Sequence, residues 1–297
     1  MTHVKLTPGV VLADDTVYSA DGGTIHTEEG DCVPLTDPSY FGIMEEPGGC
    51  LKTAFLLKGL HNTILDFGGA RLVLHGRIQP FVIDGCENVE IRGLTVEYER
   101  SFVTELRVAG RREGELLLEK LPDFPCRVEN GSLIPFGRHW ENRGLHRGGM
   151  FVQAFDTETG EDRGLLVAVI GSSFEHTATP PAFVREFTVS EEGERILLRG
   201  DIPPSWDESV TIALAHEPRD ISSVQIRDSR GVTIRDYRIL NGAGMGIFAV
   251  NSEDLTLEGL RLTRDESSHG IVTNAADAVH LVACRGKIRI ADSVFEG

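Results

Sequence analysis

The sequence predicts an all-β protein: a right-handed parallel β-helix interrupted by an inserted antiparallel β-barrel. Three observations carry this. No stretch of a dozen residues holds an i, i+3, i+4 apolar pattern between credible caps, so helices are not expected. Short alternating runs bounded by Gly, Asn and Asp recur along the chain, which is the strand signal. Four segments repeat one pattern, apolar-x-apolar-x-x-apolar-or-small-x-apolar: residues 89–96 (VEIRGLTV), 232–239 (VTIRDYRI), 255–262 (LTLEGLRL) and 288–295 (IRIADSVF).

The first coils fall within residues 1–100. A weaker copy of the repeat begins near Ile64, Leu65, Asp66 and Phe67, 24 residues before the copy at Val89 if Leu65 is matched to it. From Val232 to Leu255 the step is 23 residues, and from Leu255 to Ile288 it is 33. A period in the low twenties with two short strands per unit is that of a stacked solenoid. The bend after Ile91, and its copies, is expected to carry the chain from one sheet to the next. A β-sandwich with coincidental spacing is the competing fold, and the repeated bend position disfavours it.

The repeat is broken once, between Val89 and Val232. Within that gap lie seven alternating runs, at residues 103–108, 115–119, 150–155, 165–170, 187–189, 195–199 and 210–214. Even spacing of short strands suggests an antiparallel barrel or sandwich. Residues 101–218 are therefore read as an inserted β-barrel. Pro122, Pro125, Pro135, Pro180, Pro181, Pro203 and Pro204 fall between its strands, where a missing N–H does no harm. The solenoid resumes over residues 219–297 and is expected to be incomplete at its C-terminal end.

Composition narrows the function. The 297 residues carry a formal net charge of −17 and are 40% hydrophobic. That is too apolar for a disordered chain, and no run of eighteen apolar residues offers a membrane helix. Excess acid argues against nucleic acid, whose phosphates need clustered Lys and Arg, and against polyanionic substrates. A neutral substrate fits. Cys32, Cys50, Cys86, Cys126 and Cys284 are scattered with no CxxC pair, so buried thiols are expected rather than a metal or redox site. The N-terminus shows no apolar h-region, so a cytoplasmic location is expected if it is native, and an extracytoplasmic one if it was trimmed. HExxH, GxSxG and Gly-Lys-Ser/Thr motifs are absent from the sequence.

Three stretches carry a family resemblance: HEPRDI at 216–221, GAGMGIFA at 242–249 and NAADAVHLVACRGKI at 274–288. Together they resemble glycoside hydrolase family 110, the exo-acting α-1,3-galactosidases. DFGG at 66–69 and GRIQPF at 76–81 are similar to the same family's early coils. The resemblance spans the chain from about residue 62, weakest in the insertion. It implies a β-helix with barrel insertions, a galactose-terminated glycan as partner, no cofactor or metal, and inverting removal of terminal α-1,3-linked galactose. It also implies that Asp277 is a catalytic carboxylate, with an Asp-Asp pair about one coil later, beyond Gly297.

Inverting hydrolysis uses one protonated and one ionised carboxyl group, about 6.5–9.5 Å apart. Coils stack roughly 4.8 Å apart, so carboxylates on neighbouring coils can flank a sugar. Asp277 lies between Ala276 and Ala278, which leave room for a ligand; the alternative role is an Asx turn. His280 is a candidate donor to a galactose hydroxyl or a structural histidine, and strand alternation points it away from Asp277 unless a turn intervenes. Arg285 is a candidate for a carboxylate or a hydroxyl, or else a surface ion pair. Arg219 and Asp220, at the return from the insertion, are substrate-binding candidates or else a structural ion pair closing the junction, and His269, on the loop that lengthens one coil, is a substrate-binding candidate or else part of a solvated loop. Gly242, Gly244 and Gly246 fail the GxGxxG spacing and are expected to permit tight packing or close sugar approach. Trp140 and Trp206 are sugar-stacking or packing residues. Two further functions compete: a β-helix lyase or other glycosidase, and a non-catalytic carbohydrate-binding β-helix.

Overall fold

A computed structural model describes residues 1–7, 10–37, 40, 51–142, 150–170, 184–215, 221–264, 268 and 270–296. Among them there is no α-helix; one short 3-10 turn spans Glu29–Asp31. The protein is all-β with parallel sheets. The chain divides into two compact units, one of Met1–Glu99, Arg219–Asp265 and Thr273–Gly297, the other of Arg100–Pro218 and Glu266–Val272.

In the first unit two sheets share the chain alternately. Leu51–Lys58, Ile78–Asp84, Val224–Arg227, Ile247–Val250 and Val279–Val282 lie side by side and parallel in one. His61–His75, Glu87–Tyr98, Thr233–Ile239, Thr256–Glu258 and Arg289–Ala291 do the same in the other. The repeats pair as the sequence pattern aligns them, Ile91 on Ile234, Ile234 on Leu257 and Leu257 on Ile290. Leu65 stands in the same column against Ile91. The first step is therefore longer than the sequence spacing suggested, because the register shifts between Asp66 and Ala70, where Gly68 and Gly69 add residues to the strand.

Apolar columns form the core. Phe55, Phe81, Val224, Ile247 and Val279 are successive partners. Phe55 stacks on Phe81 with centroids 5.1 Å apart, and Phe67 meets both edge-on. Phe55, Phe67, Phe81, Val224 and Ile247 are buried, and each contributes about 1.5–3 kcal/mol.

The bends are columns too. Gly59, Gly85, Asp228, Asn251 and Ala283 all have positive φ and follow paired strand ends. Asn62, Asn88, Gly231, Asp254 and Gly286 form a second column, and Gly93, Asp236, Gly259 and Asp292 a third. Gly, Asn and Asp are the residues that tolerate this left-handed region. The third column corrects an expectation. The bend after Ile91 does not change sheets, since Glu87–Tyr98 runs through Gly93 as one strand. The change comes at the first two columns, around Gly85 and Asn88.

The second unit contains a closed barrel in the order Glu115–Lys120, Arg195–Gly200, Val184–Glu192, Asp162–Ile170, Met150–Asp156, Val210–Ala215 and Val103–Arg112. Each of the seven runs picked out in the sequence lies in one of these strands. One pair, Asp162–Ile170 with Val184–Glu192, is parallel rather than antiparallel. Trp206 is buried against Phe187 inside the barrel, centroids 6.2 Å apart, and is a packing residue. The interior keeps a void of about 10 Å³, the room of one water, so it does not house a sugar. Glu105, buried in the wall, accepts the backbone N–H groups of Ile271 at 2.8 Å and Val272 at 2.9 Å, which ties 270–272 to this unit.

Candidate active site

The GAGMGIFA and NAADAVHLV stretches run side by side. Gly242 bridges Asn274, its N–H donating to Thr273 O at 2.9 Å, and Ala275 N–H returns to Gly242 O at 3.2 Å. Farther along, Gly246 N–H donates to Asp277 O and Ile247 N–H to Ala278 O, both at 2.9 Å. Glycine is required at both contacts for space. A β-carbon on Gly246 would stand 2.4 Å from Ala278 O, and one on Gly242 would stand 1.8 Å from Asn274 Oδ1. The close-packing role expected for these glycines is thus visible in their contacts.

Asp277 sits on the turn just before the strand Val279–Val282. His280 is the second residue of that strand, paired with Phe248. Because the turn intervenes, strand alternation does not separate the two side chains. His280 Nδ1 and Asp277 Oδ2 are 2.7 Å apart, with the Asp277 side chain 46% and the His280 side chain 31% exposed. The imidazole tilts over Phe248, centroids 5.8 Å apart. With Asp277 ionised, His280 Nδ1 carries the donated proton, which leaves Nε2 free to accept a proton or, when charged, to donate one. A carboxylate oriented by an imidazole and open to solvent is equipped to hold a hydroxyl or to take part in proton transfer.

Arg285 belongs to a different constellation. Glu87, Arg230, Glu253 and Arg285 are successive bridge partners, a surface ladder of alternating sign, and the Arg285 guanidinium bonds Glu253. Its side chain is 77% exposed, so the pair contributes little stability. In the rung beside it, Asp254 accepts the backbone N–H of Lys287 at 2.9 Å and the Arg230 guanidinium at 3.2 Å. These bonds hold its carboxyl below the usual range, the backbone donor contributing most. Arg219, Asp220 and His269 lie outside the described residues. Cys284 Sγ faces the carbonyls of Ala249 and Val282 at 3.5 Å, a packing position.

Two participants were not singled out from sequence. Asn274 donates its Nδ2 to Ala276 O at 2.9 Å and Asp277 O at 3.2 Å, and Phe248 forms the floor under His280. An Asn three residues before the candidate carboxylate was the available signal for the first.

No protein-family profile matches the chain. Among curated proteins it is similar to α-1,3-galactosidase A of Shewanella woodyi, 23% identical over 88% of this chain and 41% of that one. It is similar to α-1,3-galactosidase B of Bacteroides thetaiotaomicron, 21% identical over 82% of this chain and 38% of the relative. The α-1,3-galactosidase B of Akkermansia muciniphila is 25% identical over 81% of this chain and 28% of its own length. The chain therefore spans about two fifths or less of the relatives it matches. Across more than four fifths of its own length, it resembles bacterial α-1,3-galactosidases, as its motifs indicated.

Proposed function

We propose that this chain is part of a glycoside hydrolase that removes terminal α-1,3-linked galactose from a glycan. Its architecture is a right-handed parallel β-helix over residues 1–100 and 219–297, with a barrel inserted over 101–218. The alternation of successive strands between two parallel sheets supports the helix, and the handedness follows the rule for parallel crossovers. One observation carries the functional reading. The Asp277–His280 pair, 2.7 Å apart, falls inside the longest motif of a chain that is similar to α-1,3-galactosidases over 88% of its length.

In this reading Asp277 is one of the two carboxyl groups of an inverting mechanism. His280 orients it and offers Nε2 to a sugar hydroxyl. The second carboxyl group stands about 6.5–9.5 Å away, with a water between. Arg219, Asp220 and His269 are assigned to the substrate side. Arg285 is held by Glu253 and would need to leave it to meet a sugar. The −17 net charge suits a neutral galactoside.

The test is hydrolysis of α-1,3-, α-1,4- and α-1,6-galactosides, with product anomers followed by NMR, for the parent and Asp277→Asn. Release from the α-1,3 linkage alone, β-galactose appearing first, and a loss of about 10²-fold or more in the variant are expected. Full activity of Asp277→Asn, or α-galactose as first product, overturns the reading.

A further inference from the structure

We infer that Asn274 is the positioning residue of this site: its amide fixes where the Asp277 carboxylate stands, and Gly242 makes room for it to do so. This rests on reading Asp277 as a catalytic carboxylate. An aspartate has two side-chain torsions, so its carboxylate goes where its backbone is held. The Asp277 carbonyl is held from two sides, by Gly246 N–H at 2.9 Å and by Asn274 Nδ2 at 3.2 Å. The same Nδ2 takes the Ala276 carbonyl at 2.9 Å. One amide group thus clamps the two carbonyls that bracket the Asp277 α-carbon along the chain.

The clamp differs from an ordinary Asx turn. There the side-chain oxygen accepts a backbone N–H two residues on. Here the side-chain nitrogen donates, to carbonyls two and three residues on. An aspartate at 274 cannot do this, because it would set an acceptor oxygen against two others. Asn274 Oδ1 is buried and has no hydrogen-bond partner. The amide is therefore oriented by its donors, at the cost of a stranded acceptor. That oxygen lies where a Gly242 side chain would begin, 1.8 Å from the β-carbon position, with Asn274 Cγ at 2.9 Å. Gly242 is not among the residues with positive φ; what its lack of a side chain supplies is the seat of the Asn274 amide.

Three single variants and one double variant test this against Asp277→Asn. Asn274→Asp is isosteric, and it is expected to lower kcat on an α-1,3-galactoside by up to about 10²-fold while KM changes much less. The NMR signal of the His280 Nδ1 proton bonded to Asp277 should shift or vanish with it. Gly242→Ala should reproduce both effects. In an Asn274→Ala background, Gly242→Ala has lost the two nearest atoms it would strike, only Ile239 Cγ2 remaining at 3.3 Å, so the double variant should be little worse than Asn274→Ala alone. The same non-additivity should show in chemical unfolding midpoints, which need no activity. Additive losses for the pair, or an unchanged kcat and unchanged His280 proton in Asn274→Asp while Asp277→Asn is inactive, overturn the inference. Full activity in Asp277→Asn overturns the functional reading, and the positioning role with it.

Discussion

Asp254 Oδ1 stands where a side chain at Gly286 would begin, 2.5 Å from the β-carbon position, and Gly286 itself has φ +74°. The motif repeats along the column. Asn88 Oδ1 lies 2.7 Å from the β-carbon position of Gly231, and in the neighbouring column Asp236 Oδ1 lies 2.7 Å from that of Gly259. In each of these three bends an Asx side chain meets a glycine on the next pass of the chain. Gly286→Ala meets both a left-handed backbone and an occupied space, so it should lower stability by about 2–4 kcal/mol. In an Asp254→Ala background most of the steric part disappears, the residue 254 backbone N remaining at 3.2 Å, and the loss from Gly286→Ala should roughly halve. Urea unfolding of the four combinations measures this, and equal losses in both backgrounds would count against the packing account.

Ala283 breaks the rule of its own column. It has φ 50° where Gly59, Gly85, Asp228 and Asn251 occupy the matching bends. An alanine held there costs about 1–2 kcal/mol, part of which glycine returns through its freer unfolded state. Ala283→Gly should therefore raise stability by about 0.5–1 kcal/mol, and Ala283→Val should lower it. Unfolding midpoints decide, and a destabilised Ala283→Gly would refute the strain. Ala283 lies three residues beyond His280, in the segment whose geometry the candidate site uses, and strain of this kind collects at such places. Activity measured alongside would reveal whether relaxing it carries a functional penalty.

Much of the fold was legible because repetition writes the same physical requirement several times. Ile91, Ile234, Leu257 and Ile290 share a pattern position and do pair in one column. The misjudged step at Leu65 has a local cause, since the doublet Gly68–Gly69 stretches one strand and moves its buried positions from Thr63, Leu65 and Phe67 to Ala70, Leu72 and Leu74. The bend at Gly93 looked like a change of sheet because a glycine between apolar pairs signals a turn, yet a single positive φ kinks a strand without ending its pairing. Asp277 and His280 could be named from a motif. Their contact could not, because period-two alternation applies only inside a strand and Asp277 lies just before one. Asn274 stayed hidden for a different reason. Its role depends on a glycine thirty-two residues earlier that has no side chain to notice.

Asp156 sets an acid limit on the barrel. One oxygen accepts the N–H groups of Thr159 at 3.0 Å and Glu158 at 3.1 Å, and the other meets Arg163 at 2.5 Å. The Thr159 bond first, then the Arg163 guanidinium, pull its carboxyl down to about 2. In the unfolded chain it returns to about 3.9. The group therefore adds stability that is fully present above about pH 4 and is lost as pH falls toward 2. Asp156→Asn should lower stability at neutral pH and flatten the fall across that window. Unfolding curves at pH 6, 4, 3 and 2.5 test it, and parallel pH profiles for parent and variant would show that the group does not titrate as stated.

The imidazole of His280 should act on kcat through Asp277, while its Nε2 contact to a sugar hydroxyl should show in KM. It is fixed on one side by the Phe248 ring and on the other by the carboxylate, 2.7 Å from Nδ1. Removing it leaves Asp277 free to rotate and to lose a hydrogen bond to a charged group, worth about 1.5–3 kcal/mol. At about 1.4 kcal/mol per factor of ten, His280→Ala should lower kcat by roughly tenfold to a hundredfold, less than Asp277→Asn does. His280→Asn keeps a side-chain N–H on a shorter stem and should recover part of the loss. In an Asp277→Asn background, His280→Ala should cost little more, because the group it orients has lost its charge. Kinetics of the four variants on an α-1,3-galactoside measure the coupling. Losses in kcat that multiply independently would mean that His280 does not act through Asp277 and that the pair is not a unit.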